Sequence, residues 1–206
     1  MALEELDTSA RRAVGRPRDA TREHAILETT LDILSEAGFS GLTVDAIVTR
    51  AKVSKATIYR RWATKEELAI AAFDLLPALE SPDTGSLEAD LQAYVAQYSL
   101  FLKTTALRTV LPALVSDSMH NPALAEQLRA FIASRKTSGV KMIERAVARG
   151  ELPTGTDADL AHELIVGPMM QRSFFDPDNL NPRDFQIFAK IIIAGLRNYW
   201  ATKEKR

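Results

Sequence analysis

One run, LTVDAIVTRAKVSKATIYRRWATKEEL over 42–68, constrains this chain more than any other part of it. Thr43 suits a helix start, because its hydroxyl can take an unpaired backbone N–H of the first turn. Val44, Ile47, Val48 and Ala51 follow at helical spacing and form one apolar face. Lys52-Val53-Ser54 then interrupts the helix. Val53 is apolar in a polar turn, which predicts that it tucks between two helices. Ser54 can cap a second, short helix over 55–62. Thr64 and Glu67 have the S/T-x-x-E spacing of a capping box and open a third helix. Ile58 and Trp62 lie four apart and share the core side of the short helix. Ala56 and Arg60 lie opposite them, with Thr57 and Tyr59 on the shoulders.

Charge gives this helix-turn-helix a partner. Between Arg50 and Lys65 there are six Lys or Arg and no Asp or Glu. From Arg11 to Lys65 eleven basic and six acidic residues give +5, whereas from Glu66 onward fifteen basic and eighteen acidic give −3. A basic head on a near-neutral body fits a phosphate backbone. A merely solvated face is the plainer alternative, but the capped turn and the lack of acidic neighbours within the run favour DNA. Ala56 is short enough for the backbone to approach a groove floor. Arg60 can reach base edges or phosphate, and Thr57 and Tyr59 offer a hydroxyl beside an apolar part. Lys65 sits where a helix N-terminus also favours phosphate. Ser54, Lys55 and Arg61 complete the set around the turn.

The segment 21–68 resembles the TetR family of transcriptional regulators. The resemblance is carried in order by Ala37-Gly38-Phe39, Leu42-Thr43-Val44-Asp45-Ala46-Ile47, the run from Ala51 to Trp62, and Lys65-Glu66-Glu67-Leu68. Trp62 stands where the family usually has Phe. The resemblance implies that Thr43, Tyr59 and Lys65 hold phosphates while Lys55, Ala56, Thr57 and Arg60 face bases. The stretch from Arg145 to Ala161, with Leu164-Ile165-Val166-Gly167-Pro168, is similar to one type of TetR C-terminal domain. Such domains form the dimer and often bind a small-molecule inducer.

Three segments are expected: a basic arm over 1–18, a DNA-binding head over 19–65 and a regulatory and dimerisation body over 66–206. Arg16 and Arg18, in a stretch broken by Gly and Pro, either belong to a disordered tail or enter a minor groove. Helices are expected over about 19–37, ended by Gly38, and then over 65–79, 86–104, 106–119, 121–149, 157–172 and 181–202. No segment alternates like a strand, so the fold class is all-α with about nine helices.

The last two helices are apolar on more than one side. Leu164, Ile165, Phe188, Ile192, Leu196 and Tyr199 are candidates for a homodimer interface, with burial in the monomer core as the alternative. Phe101, Leu111, Met119, Phe131, Met142, Met169 and Phe174 are candidates to line a pocket for a small apolar or amphipathic ligand. His24, His120 and His162 lack metal-ligand spacing, and no phosphate loop or nucleophile elbow is present, so neither an enzyme nor a metal or cofactor site is expected. RNA binding needs exposed stacking aromatics, and only Tyr59 offers one. The absence of cysteine excludes disulfides. No membrane span is visible, and a cytoplasmic location is expected. The reading is a DNA-binding homodimeric repressor released from a palindromic operator by a ligand. The alternative is a DNA-binding regulator controlled by abundance or a protein partner.

Overall fold

A computed structural model describes residues 16–177 and 181–203, apart from the side chains of 16–19, 182, 201 and 203. Among the described residues run nine helices and no strand: α1 (Arg16–Gly41), α2 (Val44–Ala51), α3 (Lys55–Tyr59), α4 (Lys65–Phe73), α5 (Leu87–Thr104), α6 (Leu107–Ser118), α7 (Pro122–Ala148), α8 (Ala158–Phe175) and α9 (Pro182–Lys203). The all-α expectation holds.

Side-chain oxygens set most of the helix starts. Thr43, Ser54, Thr64, Ser86, Asn121 and Asp157 each accept the backbone N–H three residues on. Each thereby satisfies one donor that its helix cannot. The expected capping box closes with a shift: the Glu67 carboxylate accepts from Ala63 N–H at 2.8 Å, one residue before the cap. α5, α6, α7 and α9 end within a residue of expectation, whereas α1 and α4 depart from it. α1 begins at Arg16, inside the expected arm, and runs on past a kink at Gly38, whose φ of 63° suits glycine. α3 ends at Tyr59, but the Trp62 N–H still bonds Ile58 O at 3.0 Å, so the turn carries on to the tryptophan.

α4 stops at Phe73, six residues short of the expected end. Pro77 has no N–H for the Phe73 carbonyl and disfavours helical backbone at Leu76. That carbonyl accepts from the Leu76 N–H at 3.0 Å and also from Arg135 of α7 at 2.5 Å. The loop after α4 is also pinned. Asp90, fully buried, accepts from the Thr84 N–H at 2.6 Å and the Thr84 hydroxyl at 2.7 Å, and pairs with Arg149 at 2.9 Å. Arg145 donates to Ser81 Oγ at 2.8 Å and to the Pro82 carbonyl.

Two large cores organise the helices. The first joins Ile26, Leu34, Ile47, Ile58 and Phe73 to Val110, Leu114 and Phe131, so the helix-turn-helix and the near end of the body share one apolar interior. The second lies among α5, α7, α8 and α9. α4 packs on α1 on one side and α7 on the other. It is therefore the strut between the turn that it follows and the body.

Candidate nucleic-acid interface and body cavity

Ile58 and Trp62 anchor α3 in the first core, as their spacing predicts, and Val53 packs against the same core from the turn. What α3 leaves outside is Ala56, Arg60 and Tyr59, the last 54% exposed. Thr43, Ser54 and Lys55 are exposed beside them. Thr57 is half-buried, with its Oγ1 2.9 Å from Ser54 Oγ. Lys65 Nζ stands 4.3 Å from the centroid of the Phe39 ring, which steadies its ammonium at the surface.

The cations of the run do have acidic neighbours, which come from α1 and α2. Lys55 Nζ lies 2.7 Å from Asp45, and that hydrogen bond pushes its pKa up. Arg50 grips Glu36 with two hydrogen bonds of 2.6 and 2.7 Å, and its guanidinium holds the Glu36 carboxyl below the usual range. Arg61 pairs with Glu23, and its side chain is 27% exposed. Arg61 therefore staples α1 to the end of α3, whereas Arg60 is exposed on the outer face. Arg16 and Arg18 fall in the first turn of α1, but their side chains lie outside the described residues.

A cavity of about 600 Å³ opens among α5, α6, α7 and α8. Phe101, Leu111 and Phe131 line it, as expected, together with Tyr98, Val166 and Met170. Four of the expected lining residues do not. Met119 is 78% exposed at the end of α6, Met142 and Met169 are buried in other cores, and Phe174 packs against the first core. Apolar periodicity says which face is inside; it does not say whether that face meets a neighbour or a void.

The cavity also has polar groups that the sequence did not flag. His162 Nε2 lies 2.9 Å from the Tyr94 hydroxyl, and its Nδ1 is buried with no partner among the described residues. Burial pushes the Tyr94 phenol up to about 12 and the His162 imidazole down. Gly139 makes room for this pair, since a Cβ there would come within 2.2 Å of His162 Cδ2. Arg135 stands on the same wall as His162.

The face formed by α8 and α9 divides the expected interface set. Leu164 and Tyr199 are 44% and 60% exposed, and with Leu160, Ile192 and Gly195 they line an open groove. Leu196 borders that groove but is buried in the second core, and Phe188 is half-buried near Phe185. Ile165 is a correction: it is buried within the chain's own second core.

Residues 26–72 match the family model described as bacterial regulatory proteins, tetR family, and residues 81–189 match the tetracyclin repressor-like C-terminal domain. The chain belongs to the TetR family. HTH-type transcriptional regulator YdeS of Bacillus subtilis is 36% identical over 173 residues, covering 81% of this chain and 85% of that protein. The DNA-binding transcriptional repressor TetR of Mycobacteroides abscessus is 34% identical over 160 residues, covering 75% of this chain and 83% of that protein. Among solved structures, the TetR family regulator SCO0332 superposes with a TM-score of 0.69 at 23% identity, over 85% of this chain and 96% of that one. FadR of Bacillus subtilis, solved in complex with stearoyl-CoA, gives a TM-score of 0.60 at 18% identity, over 84% and 96%. This TetR-family chain is thus a helix-turn-helix regulator of transcription, a non-enzymatic class. Among the described residues no group of His, Asp and Glu could hold a metal ion, and no helix is long and apolar enough to cross a membrane.

Proposed function

We propose that the chain is a homodimeric repressor that leaves a palindromic operator when a small molecule occupies the body cavity. The observation that carries this is the seating of α3: its two anchors are sunk in the core, and Ala56, Tyr59 and Arg60 face outward beside a capped turn. Thr43, Lys65 and the neck of α3 supply phosphate contacts, and Lys55 exchanges Asp45 for DNA. Arg61 works mainly as a staple. The division into a head over 19–65 and a body over 66–206 is functional, because the two share a core. A cytoplasmic location follows from the work of such a regulator.

The dimer rests on the α8–α9 groove, where Leu160, Leu164 and Tyr199 stay exposed in one chain. A second copy placed there covers them, with Gly195 allowing close approach. Two α3 helices must then meet successive major grooves, about 34 Å apart. The ligand reading rests on the partly open, largely apolar cavity, tied to the end of α4 through Arg135, and a FadR of similar fold was solved with stearoyl-CoA. Sedimentation of the free protein at micromolar concentration is the direct test of the dimer: a single species of twice the chain mass supports it, and a stable monomer sinks it.

A further inference from the structure

Arg135 links the cavity to the end of α4. Its Nη2 donates to Phe73 O at 2.5 Å, and its Nη1 donates to Leu76 O at 3.0 Å and Pro77 O at 2.8 Å. These carbonyls belong to the last turn of α4 and the chain just beyond it; the Leu76 N–H serves Phe73 O at 3.0 Å, and Arg135 adds a second donor there. The guanidinium also lies 5.2 Å from the Phe131 ring centroid and 5.9 Å from that of Phe101, and both rings are cavity wall. It is half-buried, and no carboxylate of the described residues forms an ion pair with it. Lys136, the next cation on the wall, is instead held by Asp159 at 2.7 Å and Glu163 at 3.5 Å.

A partly dried guanidinium, held by carbonyl dipoles and by the charge of Asp74 outside ion-pair distance, still favours a directly bonded anion over those carbonyls. Guanidinium–carboxylate pairs are charge-assisted and two-pronged, and roughly twice as strong as neutral hydrogen bonds. The rest of the wall is chiefly apolar, through Leu107, Leu111, Ile132 and Val166. The cavity, about 600 Å³, is of ordinary size for one small molecule.

We propose that the ligand is an amphipathic carboxylate whose apolar body fills the cavity and whose carboxylate takes Arg135 away from the end of α4. This rests on the reading of the cavity as the regulatory site. Phe73, Leu76 and Pro77 then lose the contact that ties α4 to α7. The other end of α4 carries Lys65, so the loosened strut no longer fixes the distance between the two α3 helices of a dimer. By reciprocity, DNA weakens carboxylate binding by the factor by which the carboxylate weakens DNA binding.

The test uses dodecanoate and its neutral counterpart dodecanamide, titrated into the full chain by calorimetry with and without a DNA fragment carrying its footprinted site. Dodecanoate is expected to bind roughly tenfold or more tightly than the amide, and it alone lowers DNA affinity. Arg135→Gln abolishes the preference while still taking the amide, and Arg129→Gln, which also lines the cavity but bonds no carbonyl at the end of α4, keeps it. If Arg135→Gln fails to fold, Arg135→Lys decides, because it keeps the charge but loses the two-pronged grip and so shrinks the preference. Equal binding of both probes, binding of neither, or a preference that survives at Arg135 but vanishes at Arg129 overturns the proposal. If both probes release DNA equally, the ligand-release reading stands and only the role of Arg135 falls. A carboxylate that binds through Arg135 and leaves DNA affinity unchanged sinks the release reading itself.

Discussion

At the scale of single residues, the proposed roles of Lys65 and Arg60 separate two kinds of DNA contact. Lys65, at the N-terminus of α4 and steadied by Phe39, is placed for phosphate. Lys65→Ala is expected to weaken binding to all sequences and to lower the salt slope by about one unit. Arg60 is exposed opposite Ile58 and Trp62, so Arg60→Ala is expected to cost roughly 1–3 kcal/mol on the operator and little on random DNA. Binding isotherms at several salt concentrations distinguish them; equal losses on both DNAs for Arg60→Ala make it a phosphate contact. His162 gives a second prediction. Burial, aided by the charge of Lys136, lowers its pKa from the ordinary 6.5, against opposing pulls from Glu163 and Asp159. The unfolded chain therefore takes up a proton before the folded one. The contribution of His162 to stability is complete above about pH 6.5 and is lost as pH falls through its lower folded value. Thermal melts between pH 7 and pH 5 should show a larger drop in Tm for the wild type than for His162→Gln, and equal drops would contradict this.

At the scale of elements, most helix limits were legible in the sequence: α5, α6, α7 and α9 end within a residue of the expected position, whereas α1 starts early and α4 stops short. A start is written in one residue: Thr43, Ser54, Thr64, Ser86, Asn121 and Asp157 each cap by a bond three residues long. Thr64→Ala is accordingly expected to destabilise the protein by roughly 0.5–2 kcal/mol, read as a shift in urea midpoint at unchanged slope. An unchanged midpoint would mean that Glu67 and the core alone hold that end of α4. The end of α4 depends on Pro77 nearby and on Arg135 about sixty residues away, and no local pattern announces the second. The same limit applies to the site. The outward face of α3 could be read from Ile58 and Trp62, because a short helix with two anchors has one orientation. The partners of its cations could not, since Glu23, Glu36 and Asp45 reach them only through folding. In the body, Phe101, Leu111 and Phe131 were legible as inward residues that meet a cavity, but Met142 and Ile165 show the same pattern and meet neighbours.

At the scale of the whole molecule, a basic head, a strut and an apolar α8–α9 face form one device only if two chains act together. One α3 contacts too short a stretch of DNA to select a single site; two at a fixed separation read a palindrome. In the proposed dimer, the shared core of head and body makes that separation a property of the α8–α9 contact and of the seat of α4. Tyr199→Asp, on the exposed face, is therefore expected to break the dimer and to abolish operator binding while leaving the helical content of each chain intact. The central claim is sequence-specific binding by such a dimer. A footprint of the purified protein on genomic DNA tests it most directly. The account predicts protected sites that are palindromic, with half-site centres about 34 Å apart or slightly more. Protection without a shared sequence, or of single half-sites by one chain, would contradict it.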